Sequence, residues 1–266
     1  MNSLSSVQSS ATQKVSRLAK LIAPAFALSA LTVPVYAAAN LVKNGGFESN
    51  GGPGATQYGS YRITLDDWIM SPTGFMGLDT YANANINTSE PIQFWGAAPG
   101  YKNGNGFTGS PDGGYFWAAD GHSGFRGTLE QEITGLTVGG KYDLGFYYAH
   151  GQEACGPCNG ATRQAWQVYL GAEQYNTPFV DLPEHGFMGW FTATHTFTAN
   201  ATTEILQFWA DGGTGAPPMA LLDGVRLTAH NQPPTPAPGP LPIVGLGVSL
   251  AWSGRLRKRV KQANRN

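Results

Sequence analysis

KYDLGFYYA, residues 141–149, decides the fold. Tyr142, Leu144, Phe146 and Tyr148 recur at every second position, with Asp143, Gly145 and Tyr147 between them. A period of two puts four large apolar side chains on one face of an extended strand. QAWQVYL (164–170) repeats the pattern with Trp166, Val168 and Leu170. WFTATHTFTA, TEILQFWAD and MALLDGVRLT extend the series, separated by Gly, Asn and Thr turns. Short alternating strands at this spacing predict an all-β sandwich. The composition agrees, with 36 Gly and 31 aromatics (7 Trp, 11 Tyr, 13 Phe). About 190 residues lie between the two atypical chain ends, enough for one sizeable core. No repeat at a fixed spacing is present, and no helical period exceeds two turns outside those ends.

The N-terminal end carries Lys14, Arg17 and Lys20 and no acid, then LIAPAFALSALTVPV, then Val35-Tyr36-Ala37-Ala38-Ala39. A basic segment, a short apolar run and a small-residue site describe a secretory signal peptide over residues 1–37, a substrate of the Sec machinery. A buried N-terminal helix is the alternative, and Pro24 and Pro34 oppose it. The mature chain is expected to begin near Ala38 or Asn40. At the other end, residues 231–240 (NQPPTPAPGP) read as an extended linker. Residues 241–252 are mostly apolar and Arg255, Arg257, Lys258, Arg259 and Lys261 follow. The apolar run is short for a full membrane span, and the arginines belong on the cytoplasmic side. A disordered basic tail is the alternative reading.

With both ends set aside the electrostatics change. Seven Lys and Arg remain against all 17 acids, so the body carries a formal −10. Such a surface argues against nucleic acid and anionic surfaces as partners. It suits an extracytoplasmic domain that holds divalent cations.

Two resemblances follow from these residues. The order Pro-rich stretch, apolar segment, basic tail resembles the PEP-CTERM sorting signal, with Pro238-Gly239-Pro240-Leu241-Pro242 in place of the eponymous Pro-Glu-Pro. It implies an exosortase partner, transient contact with the inner membrane through residues 241–254, and a sorting signal over 241–266. NLVKNGGFE (40–48), ITGLTVGGKYDLGFYYA (133–149) and ALLDGVRLT (220–228) resemble a galactose-binding-like jelly roll, the fold of many carbohydrate-binding modules. SPDGGYFWAADG, QAWQVYLG, HGFMGW and PPMALLDGV are similar to stretches of PEP-CTERM proteins carrying that domain. The resemblance implies a jelly-roll β-sandwich over residues 38–230, with helices only in the signal peptide and the C-terminal apolar segment. It also implies an envelope or matrix protein associated with exopolysaccharide and biofilm. Fold alone does not fix function.

Cys155-Gly156-Pro157-Cys158 has the spelling of a thioredoxin site. That chemistry needs the first Cys at a helix start after a parallel strand. Here a strand precedes it and Asn159-Gly160-Ala161-Thr162 leads into the next strand. In an oxidising compartment the pair is expected as a disulfide, closing a small loop and stiffening the turn more than the fold. The alternatives are redox chemistry and a metal site that recruits His150 and Glu153.

Asp223 shares the alternating pattern of Leu221, Val225 and Leu227 and is expected to point inward, where a carboxylate needs a counter-charge. Glu48 follows Phe47 in the expected first strand. In the jelly rolls that the chain resembles, first and last strands lie close and an acid from each helps hold a structural Ca²⁺; hard oxygen ligands suit that ion. Pairing with Lys43 or Arg226, or capping of a turn, is the other reading. For a sugar platform, Trp95, Tyr101 and Trp117 flank a Gly- and Asn-rich stretch, and Asn103, Asn105 and Asp120 supply polar groups. A Trp in a sandwich is as readily core, as expected of Trp166 and Trp209; Asp112-Gly113 reads as a turn. Glu130 and Glu132 share a face of TLEQEI and form a conceivable glycosidase pair, though acids at i and i+2 read first as a solvated strand face. His185 and His195 read as structural, and no nucleophile-elbow, P-loop or dinucleotide motif is present. The function expected is therefore non-catalytic binding of a matrix polysaccharide. A structural matrix protein without sugar recognition is the second reading and a polysaccharide-active enzyme the third.

Overall fold

The computed structural model describes residues 39–57, 63–82, 92–96, 104–155, 158–213 and 216–231. The expected signal peptide, the linker after Asn231 and the sorting segment lie outside these residues, as do Tyr101 and Asn103. Twelve strands are described: β1 (Gly54–Gln57), β2 (Ile69–Met70), β3 (Phe75–Thr80), β4 (Tyr115–Asp120), β5 (Thr128–Thr134), β6 (Lys141–Gln152), β7 (Thr162–Leu170), β8 (Glu173–Asn176), β9 (Val180–Leu182), β10 (Met188–Thr198), β11 (Thr203–Gly212) and β12 (Pro218–Ala229). They form two antiparallel sheets, ordered β1-β3-β4-β12-β6-β10 and β2-β5-β11-β7-β8, with β9 also on β7. Apart from the β7–β8 hairpin and the consecutive pair β3–β4, most neighbours in each sheet are distant in sequence, as in a jelly-roll sandwich. Among the described residues no helix is long and apolar enough to cross a membrane.

The period-two reading holds where it was clearest. Tyr142, Leu144, Phe146 and Tyr148 of β6 and Trp166, Val168 and Leu170 of β7 all enter the inter-sheet core. Trp166 ties the sheets together: its indole N–H donates to the Leu221 carbonyl of β12 at 3.0 Å. Trp209 is a correction. Phe208 is fully buried between the sheets, which turns Trp209 to the outer face, where it is half-buried.

A second apolar cluster lies outside the first. Phe116 and Ala118 of β4, Ala149 of β6 and Met219 and Leu221 of β12 face away from the opposite sheet. Ile92, Phe94 and Phe107 cover them, with Phe187 and Trp190 packed alongside. One end of the six-stranded sheet is thus roofed by loops and its other end is open. β4 is buried on both faces for this reason, with Trp117 on the inter-sheet side and Phe116 under the roof.

The parity of β12 changes midway. Asp223 pairs with Tyr147 and Arg226 with Gly145, so Gly224 and Val225 oppose Phe146 alone. This is a bulge, and Gly224 takes φ +57°, the left-handed value that suits glycine. Before it, Leu222 points between the sheets and Leu221 outward; after it, Val225 and Leu227 point between the sheets. Asp223 therefore lies on the face of Leu221, not on that of Val225 and Leu227.

Candidate functional site

The chain start runs beside β12. Leu41 N donates to Leu227 O and Val225 N to Gly45 O. This brings Glu48 to the Asp223 side of the sheet, as expected, although Glu48 lies in an irregular segment after Phe47 (φ +59°) and not in a strand. Asp112 joins them from the turn before β4, the member that sequence reasoning missed by treating Asp112-Gly113 as a turn and nothing more. A Cβ on Gly46 would stand 2.7 Å from Asp112 Oδ2 and 3.9 Å from Asp223 Oδ1, so glycine leaves the two carboxylates room to face one gap. Glu48 Oε1 accepts from Tyr115 N at 2.7 Å.

Asp223 is fully buried. Its Oδ1 accepts from Gly224 N at 2.7 Å, while Oδ2 has no hydrogen-bond partner. Burial pushes its pKa up to about 8, with Asp112 and Glu48 adding to the rise and hydrogen bonds from Ser110 and Gly224 opposing it. The cations weighed as partners are elsewhere. Lys43 reaches Asp67 at 3.9 Å, and Arg226 lies over Gly145 on β6. Three carboxylates, one with an orphaned buried oxygen and no cation among the described residues, are the donor set of a hard divalent ion. They stand wider than ligand spacing: among the described residues, three such donor atoms come within 4.8 Å of one another at Glu153, Cys155 and Cys158 alone. Glu48 is exposed, with its carboxylate held by Tyr115 N.

Of the expected sugar platform, Trp95, Asn105, Trp117 and Asp120 are among the described residues. Trp117 is fully buried in the inter-sheet core and offers no ring face to a ligand. Asn105 is a clamp: its amide donates to the carbonyls of Trp95 and His185 and its Oδ1 accepts from Phe107 N. Trp95 is half-buried and stacked on His185, ring centroids 3.5 Å apart. Asp120 is buried at the end of β4. Burial raises Asp120 and Glu153 to about 7, and Asp120 adds to the rise at Glu153.

Cys155 and Cys158 form a disulfide, Cα–Cα 5.0 Å, in an irregular segment between β6 and β7, which belong to different sheets. Among the described residues no helix start receives Cys155, and β6 before it is paired antiparallel, unlike the parallel strand and helix start that lower a thiol pKa. Glu153 stands beside the two sulfurs. His150 does not: it is fully buried, both ring nitrogens lack a hydrogen-bond partner, and it meets Tyr148 edge-on at 5.4 Å. Burial pulls its pKa down to about 3, so it is neutral.

Glu130 accepts from Thr128 Oγ1 at 2.8 Å and Gln207 Nε2 at 2.6 Å. Glu132 is exposed on the same face of β5. Both belong to the sheet of β2, β5, β11, β7, β8 and β9, the layer opposite β6, β10 and β12.

The open end of the six-stranded sheet carries a groove of about 500 Å³, lined by residues of β6, β10 and β12. Gly145 gives it a floor without a side chain; Asp143, Thr194, Thr196, Arg226 and Thr228 line it. Asp143 is fixed by the Thr196 hydroxyl at 2.7 Å and the His230 ring at 2.9 Å. The Thr196 hydrogen bond is the chief cause that holds Asp143 below the usual carboxylate range, with His230 contributing. Sequence reasoning missed this groove because its residues come from three strands far apart in the chain. Alternating Thr at 194 and 196 on β10 was the available signal.

The strand order and register define an all-β jelly-roll sandwich. No family model matches the chain. It is similar to a segment of halomucin from Haloquadratum walsbyi, 28% identical over 182 residues, covering 68% of this chain and 2% of that protein. Among solved structures it is similar to TmCBM61 in complex with β-1,4-galactotriose, at 16% identity, covering 72% of this chain and 99% of that one, TM-score 0.38. It is also similar to the K3 cleaved adhesin domain of Lys-gingipain from Porphyromonas gingivalis (14% identity, 72% and 99% covered, TM-score 0.37). A third is the CBM22-1 xylan-binding domain of Xyn10C from Paenibacillus barcinonensis (8% identity, 74% and 97% covered, TM-score 0.35).

Proposed function

We propose that this chain is a secreted, non-catalytic carbohydrate-binding sandwich whose groove on β6, β10 and β12 takes a polysaccharide of the envelope or extracellular matrix. The groove carries the reading. It joins hydroxyls, a carboxylate and a guanidinium that lies over a glycine floor, the mixture of donors and acceptors that a sugar's hydroxyls need. Glycoside hydrolysis takes two carboxyl groups flanking the bond, whereas Asp143 is the one acid among the groove-lining residues. In the same reading Glu48, Asp112 and Asp223 hold a structural Ca²⁺, which supplies the positive charge that the three acids lack.

The route outside follows from the two chain ends. Residues 1–37 are removed as a Sec signal, residues 38–230 form the sandwich, residues 231–240 are a spacer, and residues 241–266 are read by an exosortase. The basic-then-apolar start and the apolar-then-basic finish support this, as does the likeness to halomucin, a mucin by name.

Two measurements test these readings. On a glycan array the mature protein is expected to bind a defined polysaccharide set, with binding lost in Thr194→Trp, which fills the groove; an array without signal leaves a matrix protein that recognises no sugar. Intact mass of protein recovered from medium is expected to show loss of the first 37 to 39 residues, cleavage near Pro238–Pro242, and no free thiol. Retention of either end removes the corresponding sorting step.

A further inference from the structure

Arg226 stands apart from the other basic groups of the body. Of the three described arginines, Arg126 is paired with Asp211, and Arg163 reaches Asp181 at 3.8 Å and lies 4.8 Å over the Phe179 ring. The Arg226 side chain makes no ion pair or hydrogen bond with any described residue, in a body where acids outnumber bases by ten. The bulge at Gly224 sets it on the outer face opposite Gly145. A Cβ at Gly145 would stand 2.8 Å from Arg226 Cζ and 2.9 Å from both Nε and Nη2. The guanidinium thus lies along the groove floor, in space that a side chain would take.

The charge beside it is already engaged. Asp143 holds Thr196 and His230, both Oδ atoms standing 2.9 Å from the His230 ring nitrogen. This leaves a planar five-donor fork with nothing to grip, flanked by Thr194 and Thr228. A guanidinium matches a planar carboxylate with two parallel hydrogen bonds, and such charge-assisted pairs are about twice as strong as neutral ones. A neutral sugar leaves that capacity unused.

We propose that the groove selects acidic saccharides, with Arg226 gripping the carboxylate of a uronate residue while Thr194, Thr228 and Asp143 meet its hydroxyls. This rests on the groove being the sugar site. The surrounding −10 charge repels anionic polymers in general, so selection comes from the single fork and not from a basic patch.

The test is calorimetric titration of the mature protein with oligogalacturonate against oligogalactose, and glucuronoxylan against xylan. Sulfated galactan is included to tell a planar from a tetrahedral anion. The acidic member of at least one pair is expected to bind about tenfold tighter or more. Arg226→Gln is expected to erase that difference, Arg226→Lys to keep part of it, and Glu132→Gln on the other sheet to change nothing. Equal affinity within both pairs, a preference that survives Arg226→Gln, or a stronger preference for sulfated galactan overturns the uronate assignment with the sugar groove left standing. Absence of binding to every probe, acidic and neutral, overturns both.

Discussion

Trp166→Ala is expected to lower folding stability by about 3–5 kcal/mol, the range for removing a large buried aromatic. Trp166 is fully buried at the middle of β7 and meets the Phe208 ring edge-on at 6.1 Å. Its indole N–H reaches across the sandwich to Leu221 O, and its own backbone N–H donates to Thr177 Oγ1 at 2.8 Å. The substitution removes area, leaves a cavity between two sheets that cannot close on it, and cuts the one hydrogen bond linking their centres at this point. For a body of about 190 residues the melting temperature should fall by on the order of 10 °C. Trp166→Phe keeps most of the packing and should cost less than half as much. Urea unfolding measures both; a loss below about 1 kcal/mol for the alanine variant would mean that the sheets are not held together through this side chain.

Calcium and pH should act on stability through the same residue. Asp223 is raised from 3.8 to about 8, so the folded chain keeps a carboxyl proton that the unfolded chain has released. Stability then falls as pH rises through that interval. Asp120 and Glu153, each raised to about 7, pull the same way. His150 opposes them: lowered from 6.5 to about 3, it costs stability as pH falls below 6.5. Above pH 6.5 the carboxyls outweigh what remains of the His150 effect, and in chelator the protein should lose about 1–3 kcal/mol between pH 6.5 and 8. If Ca²⁺ occupies the proposed site it would take the place of the Asp223 proton, so calcium should bind more tightly at pH 8 than at pH 6. At a hundredfold excess over Kd it should restore about 2.7 kcal/mol. Asp223→Asn should abolish the calcium response and its share of the pH slope together. Melting that ignores both chelator and calcium at pH 8 would remove the cation from this pocket.

The sequence carried the sandwich because the alternation in β6 and β7 is uninterrupted, and four of four and three of three apolar positions reached the core. It carried the approach of Glu48 to Asp223 through resemblance. It did not carry the face of Asp223, because a bulge erases the parity on which any strand reading depends. Nor did it separate Trp117 from a ligand platform. β4 is buried on both sides, and two-sided burial looks the same in sequence whether the cover is another sheet or a roof of loops. Asn105 was weighed only as a polar group for sugar, and its amide is instead engaged by the carbonyls of its own loops, which compete for the same donors. Arg226 was weighed only as a counter-charge, because its solitude is a fact of three dimensions.

The bulge at Gly224 also makes the backbone path of β12 a specified quantity. Every side chain after it, Val225, Arg226, Leu227 and Thr228, is assigned to its side of the sheet because two residues share one place in the ladder. The same residues run as a regular strand would exchange the two sets at a stroke, sending Arg226 and Thr228 into the oil and Val225 and Leu227 into water. A glycine that accepts a left-handed φ is what lets the surplus residue be absorbed at this point. The kink is therefore as firmly set as any side chain's identity, since the groove exists only downstream of it.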